Sequence, residues 1–213
     1  MTDKPQQPKS SSKVETMQRI LDAARVEFAD KGLDKTHIQA VAEAAGVTKQ
    51  LIYHYYLSKD NLFACVLDES SYHAMTAMAQ IDVEHLSPRE GLRSMIYQMF
   101  DMFEQDPTLA SLATEGIRYH DHHDTPRNRM IDIGPVLTAK MTAIIERGVE
   151  EDLFHDRMQP NYIFATVALM ISGTFTSRYL ISAVGGFDPT ASDAQLSWKT
   201  HIADLILNAL EKR

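Results

Sequence analysis

Four times in this chain a proline directly follows a residue able to cap a helix: Ser87-Pro88, Asp106-Pro107, Thr125-Pro126 and Asp188-Pro189. The Ser, Thr or Asp oxygen accepts from a free backbone N–H. Proline at the first helical position gives up no hydrogen bond, so each pair predicts a helix start. Pro135 and Pro160 mark two further starts. Between these points apolar residues recur at spacings of three and four. Met95, Met99, Met102 and Phe103 share one face; Met141, Ile144, Ile145 and Val149 share another. No segment alternates as a strand would, and no internal repeat is visible. The pattern predicts an all-α chain of about nine helices.

The same reading applies upstream of the prolines. Residues 1–13 have no apolar period and read as a flexible arm; Lys4, Lys9 and Lys13 could touch DNA but read better as a solvated tail. Met17, Ile20, Leu21, Ala24 and Phe28 predict a helix from about Val14 to Lys31, stopped by Gly32. Thr36, with Gln39 three residues on, reads as a capping box that opens a short helix with Ile38, Val41 and Ala42 inward. Ala44-Ala45-Gly46-Val47 breaks that helix. Thr48 caps a third, and Ser58 a fourth that runs to about Gln80.

Residues 36–56 therefore have the form of a helix-turn-helix. Two helices crossing steeply require a tight turn and small contacts, which Ala42, Ala45 and Gly46 supply. At 100° per residue, Ile52, Tyr55 and Tyr56 of the segment LIYHYY fall inward. Gln50 and His54 fall opposite, with Lys49 and Tyr53 on one flank. The outward set mixes a cation, an amide, a phenol and an imidazole. Gln can pair with adenine and Lys can reach guanine or phosphate in a major groove.

These residues carry a resemblance. Residues 16–67 closely resemble the DNA-binding domain of the TetR family of bacterial transcriptional regulators. The likeness rests on Ala24, Phe28 and Gly32 of the first helix, the Thr36–Val47 run, then Tyr53, Tyr56 and Ser58-Lys59. Gln50 stands where the family often has Gly, and Leu57 where Pro is common. The resemblance implies base or nearby phosphate contacts from Lys49, Gln50, Tyr53 and His54. It implies DNA-backbone contacts from Thr36, His37, Thr48, Tyr55 and Lys59. It also implies a C-terminal all-α domain that binds an effector and dimerises. The expected organisation is an arm at 1–13, a helix-turn-helix DNA-binding domain at 14–60, and an effector-binding and dimerisation domain at 61–213.

Charge follows that division. Residues 1–60 hold nine Lys and Arg against eight Asp and Glu, and the remainder twelve against twenty-one. A net charge of −8 argues against a protein that coats nucleic acid non-specifically. The single cysteine, Cys65, sits in an apolar run and fits a core filler in a reducing cytoplasm. No signal peptide or membrane-spanning segment is visible, and Ile163–Thr176 is too short to span a bilayer.

In the acidic part, methionines suit a tolerant pocket between helices. Met99, Phe103, Tyr119, Met141, Phe164 and Phe175 are the expected walls. The last two helices, at about 160–184 and 189–212, are apolar on more than one face, which predicts a partner helix from a second copy. The family's usual four-helix dimer interface, by resemblance, uses its last helices too. The segment YIFATVALMISGTFTSRYLISAVGG is similar to the C-terminal domain of the subgroup holding pyrimidine-responsive regulators, without a motif that names a ligand.

The chain has no HExxH, catalytic acid pair or Gly-rich phosphate loop, so it reads as no enzyme and implies no cofactor. His120 to Asp124 could grip a metal but reads better as a polar helix end. The resulting expectation is a cytoplasmic homodimeric repressor, bound to a palindromic double-stranded operator and released by a small-molecule effector. Two alternatives stay open. One is a regulator of the same architecture without an effector; the other is a metal sensor or metal-dependent enzyme built on His120–Asp124.

Overall fold

The computed structural model describes residues 10–122 and 128–212. Ten helices occur among them: α1 (Ser10–Lys35), α2 (Ile38–Ala45), α3 (Lys49–Tyr56), α4 (Lys59–Ala79), α5 (Pro88–Gln105), α6 (Pro107–His122), α7 (Met130–Glu150), α8 (Pro160–Thr176), α9 (Arg178–Gly185) and α10 (Ser192–Leu210). The chain forms two compact units that divide between Leu67 and Asp68, inside α4.

In the first unit, Ile20, Ala24 and Phe28 of α1 are fully buried with Val41, Ala42, Ile52 and Leu62. Phe28 meets Phe63 edge-on at 4.9 Å. Residues 10–13 of the expected arm belong to α1, which begins at Ser10; Lys4 and Lys9 lie outside the described residues. Gly32 breaks the helix with φ 71 and ψ 176, a combination essentially restricted to glycine.

Thr36 is not the N-cap of α2. That position belongs to His37, and Gln39 turns to Glu43 instead of closing a capping box. The Thr36 hydroxyl is buried and donates to the carbonyls of Gly32 (2.7 Å) and Glu27 (3.1 Å), so it seals the end of α1. Thr48 and Ser58 do cap, accepting from Leu51 N and Asn61 N.

The second unit packs α5, α7, α8 and α10 around Leu92, Met95, Ile96, Phe100, Leu137, Met141, Val167, Ile171 and Leu207. Ser87 caps α5: its hydroxyl oxygen accepts from Glu90 N and its proton goes to the Glu90 carboxylate. Phe154 is fully buried beside Gly148, and an isolated bridge joins it to Glu211.

Two proline readings change, and one expected helix divides. Pro135 lies inside α7, which starts at Met130 because Asn128 Oδ1 accepts from Met130 N and Asp68 Oδ1 accepts from Arg129 N. Those two acceptors stabilise a helix start ahead of the proline. Asp188-Pro189 forms a turn in which Asp188 Oδ1 accepts from both Thr190 N and Thr190 Oγ1, so the last helix begins at Ser192. The helix expected over 160–184 is two, α8 and α9, bent by 89°. Thr174 and Thr176 donate to the carbonyls of Met170 and Ser172 just before the break, contacts that bend helices. The Thr125-Pro126 start lies outside the described residues. No single described helix is long and apolar enough to cross a membrane.

Candidate nucleic-acid interface

The first unit presents one short helix to solvent. Gly46, at φ 65 and ψ 39, ends α2 in the left-handed conformation, and its N–H returns to Glu43 O at 3.2 Å. Two residues later Thr48 starts α3. This helix is anchored by Ile52, fully buried, and Tyr56, 5% exposed, whose hydroxyl donates to Met17 O at 3.0 Å. Lys49, Gln50, Tyr53 and His54 occupy the exposed side.

Two lysines stack on tyrosines there. Lys49 Nζ lies 5.7 Å from the centre of the Tyr53 ring, and Lys13 Nζ lies 5.6 Å from that of Tyr55. Each ammonium is held near the helix by a ring face yet keeps its donors for another acceptor. Tyr55 is half-buried and its ring also meets His54 at 5.4 Å. Lys13 reaches this place because α1 extends to Ser10, which the sequence did not signal.

The remaining expected backbone contacts separate. His37 and Thr48 are exposed, at the starts of α2 and α3. Thr36 is 1% exposed and its hydroxyl is engaged internally. Lys59 donates to the carbonyls of Leu33 (2.7 Å), Asp34 (3.2 Å) and Thr36 (3.3 Å). Its ammonium therefore clamps the segment after Gly32 against the start of α4, where sequence alone had pointed it at DNA.

The connection from α3 to α4 is unusual. Leu57 has φ 66 and ψ −46, and Ser58 N donates to Tyr56 O at 2.7 Å. This is a γ-turn of the strained hand, with a residue other than glycine at its centre. Proline cannot adopt positive φ, so the departure at Leu57 gives this chain a turn its common counterpart excludes.

In the second unit none of the six expected pocket residues lines the cleft between α4 and α7. Met99 and Met141 are core, at 3% and 0% exposure. Phe103 stacks on Phe175, and Phe164 packs partly buried against the same core. Tyr119 lies beside His120 on α6. A cleft of about 310 Å³ opens elsewhere, between the end of α4 with the loop after it and α7; it is lined by Val83, Glu84, Val136, Lys140, Ile144 and Arg147, among others. Of His120–Asp124, residues 123 and 124 lie outside the described residues; among the described residues no group of three or more His, Cys, Asp or Glu is placed to hold a metal.

An apolar face is uncovered on α8 and α9. Tyr162, Leu169, Tyr179, Leu180 and Val184 are 61–87% exposed, and α9 buries no residue of its own. Leu196 and Leu205 of α10 are 65% and 48% exposed.

Comparisons with known proteins fall on both units. Residues 20–66 match the family described as bacterial regulatory proteins, tetR family. Residues 88–206 match the tetracyclin repressor-like C-terminal domain, more than half of the chain. The transcriptional repressor NicS of Pseudomonas putida is 26% identical over 198 residues, covering 92% of this chain and 93% of NicS. The structure of the TetR family regulator PfmR from Thermus thermophilus is similar with a TM-score of 0.66 and 26% identity, covering 92% of this chain and 97% of that one. FadR from Bacillus subtilis, solved in complex with stearoyl-CoA, has the same fold with a TM-score of 0.68 at 18% identity, covering 90% and 98%.

Proposed function

The chain belongs to the TetR family of bacterial regulatory proteins, and from that premise we infer that it is a ligand-responsive transcriptional repressor acting in the cytoplasm as a homodimer. The observation that carries the reading is α3, pinned by Ile52 and Tyr56 while Lys49, Gln50, Tyr53 and His54 face outward. That face holds hydrogen-bonding groups of several kinds with little charge, which suits reading base edges in a major groove. The exposed starts of α2 and α3, at His37 and Thr48, offer free N–H groups to phosphates. Tyr55 reaches the backbone side of the same groove, and Lys13 accompanies it. Thr36 and Lys59 act indirectly in this reading, by fixing the end of α1 beside α2 and α4.

Two such helices, one per copy, would read successive major grooves about 34 Å apart on a near-palindromic operator. The apolar face on α8 and α9, continued on α10, supports pairing of two copies, since large rings and leucines left in water favour burial. The second unit serves as the effector-binding body. NicS is named a repressor, and FadR was solved with stearoyl-CoA; both support a repressor whose DNA affinity a small molecule changes.

Selection of genomic fragments by the protein, followed by band shift at a stated salt concentration, tests the reading. The expected result is a palindromic fragment bound at least about 10³-fold tighter than random duplex. No preference over random DNA overturns it.

A further inference from the structure

We propose that the cleft between α7 and the end of α4 is a binding site for a small organic carboxylate with an apolar body. The assignment rests on reading the second unit as an effector-binding body.

Val136, Lys140, Ile144 and Arg147 recur along α7 at helical spacing and so share one stripe. Across from them stand Val83, 1% exposed, and Glu84, which is exposed at the rim. At about 310 Å³ the cleft lies at the small end of ligand pockets, roughly 300–1,000 Å³. It is the chemistry of the two cations that selects a ligand. Lys140 Nζ donates to Ala79 O at 2.6 Å, which leaves two of its three protons. Arg147 donates to Glu84 O (2.9 Å) and Leu86 O (2.6 Å). Its Nε is buried with no hydrogen-bond acceptor; the Glu151 carboxylate is 3.9 Å away, within ion-pair range but too far to accept.

Carbonyls satisfy donors without neutralising charge. The cleft thus holds two cations, Lys140 with protons to spare and Arg147, against the rim carboxylate of Glu84 and with Glu151 in ion-pair range of Arg147, in a body that is otherwise strongly acidic. A carboxylate between Lys140 and Arg147 accepts charge-assisted hydrogen bonds from both. Its apolar part packs on Val83, Val136 and Ile144. Bound there, it ties α7 to the last turn of α4 and to the loop that follows.

The test titrates the full chain with benzoate and octanoate, and with benzyl alcohol, 1-octanol and inorganic phosphate, by isothermal titration calorimetry. At least one carboxylate is expected to bind about tenfold or more tighter than its matching alcohol and than phosphate. Lys140→Gln, whose amide can still donate to Ala79 O, should remove that preference while leaving the unfolding midpoint near its original value. Val136→Glu places a carboxylate in the mouth of the cleft at an exposed position and should also abolish binding. The proposal is overturned if neither carboxylate binds, if alcohol or phosphate binds as well, or if the preference survives in both variants. Failure of the wild-type chain to select an operator would instead sink the repressor reading, and the calorimetry is independent of it.

Discussion

At the scale of single residues, the groups that hold the reading helix and those that face outward are separable by substitution. Tyr53 is 39% exposed and lies on the outward side of α3, away from the buried Ile52 and Tyr56. Tyr53→Ala should therefore lower operator affinity about tenfold or more, equivalent to about 1.4 kcal/mol, with no change in the dimer by light scattering; an unchanged band shift would remove it from the interface. Gly148 makes the opposite kind of case. A Cβ there would lie 2.1 Å from the ring of Phe154, which is fully buried and cannot swing away. Alanine gains about 1 kcal/mol of helix propensity, but overpacking of this kind costs about 1–3 kcal/mol or more. Gly148→Ala should give a net loss of stability, read as a lower urea midpoint. At Leu57 the positive φ of 66 forbids proline, so Leu57→Pro should destabilise the first unit by about 1–3 kcal/mol and weaken operator binding with it.

At the scale of elements, polar contacts join α4 and α7 at two places, the middle and the last turn of α4. Asp68, 7% exposed, accepts from Arg129 N at 2.9 Å and Arg129 Nε at 2.8 Å, and the guanidinium lies 4.1 Å from the Tyr72 ring centre. Lys140 holds the last turn at Ala79. Because Arg129 is 41% exposed at its side chain, water can take up its charge if Asp68 is neutralised. Asp68→Asn should then cost about 1–2 kcal/mol, less than breaking a fully buried pair. A double-mutant cycle with Arg129→Gln should show coupling of that order, and amide exchange in Asp68–Ala79 should quicken. A coupling near zero would assign the α4–α7 attachment elsewhere. Another element contact is sensitive to pH. Asp188 is held below its ordinary pKa by the N–H and hydroxyl of Thr190 and by the Arg178 guanidinium. A lowered folded pKa means that this stabilisation is present above the unfolded value of 3.8 and is lost as pH falls through the folded one. The difference in stability between wild type and Asp188→Asn should be constant at neutral pH and shrink only in acid below that point.

At the scale of the whole molecule, the uncovered face on α8 and α9 is where the proposed pairing of two copies is tested. Leu169 and Tyr179 are 73% and 87% exposed, so charging them should not disturb the fold of the single chain. Leu169→Glu with Tyr179→Glu is expected to give a folded monomer by sedimentation, with operator affinity sharply reduced because one reading helix must then bind alone. A variant that remains dimeric would place the interface on another face.

The sequence by itself determined the all-α class, most helix starts and the two-sided character of LIYHYY, because capping and helical periodicity are local and survive without knowledge of any partner. It also carried the family, since the Thr36–Val47 run must supply a tight turn with small contacts wherever it folds. Tertiary structure alone decided the rest. Asp68, sixty-one residues away, moved the start of α7 ahead of Pro135. The Thr36 hydroxyl and the Lys59 ammonium went to the end of α1, because carbonyls released by the Gly32 break stood within reach. Met99 and Met141 became core, while Lys140 and Arg147 lined the cleft. Each of these outcomes is a choice among acceptors or neighbours distant in sequence, and only the packed chain brings those competitors together.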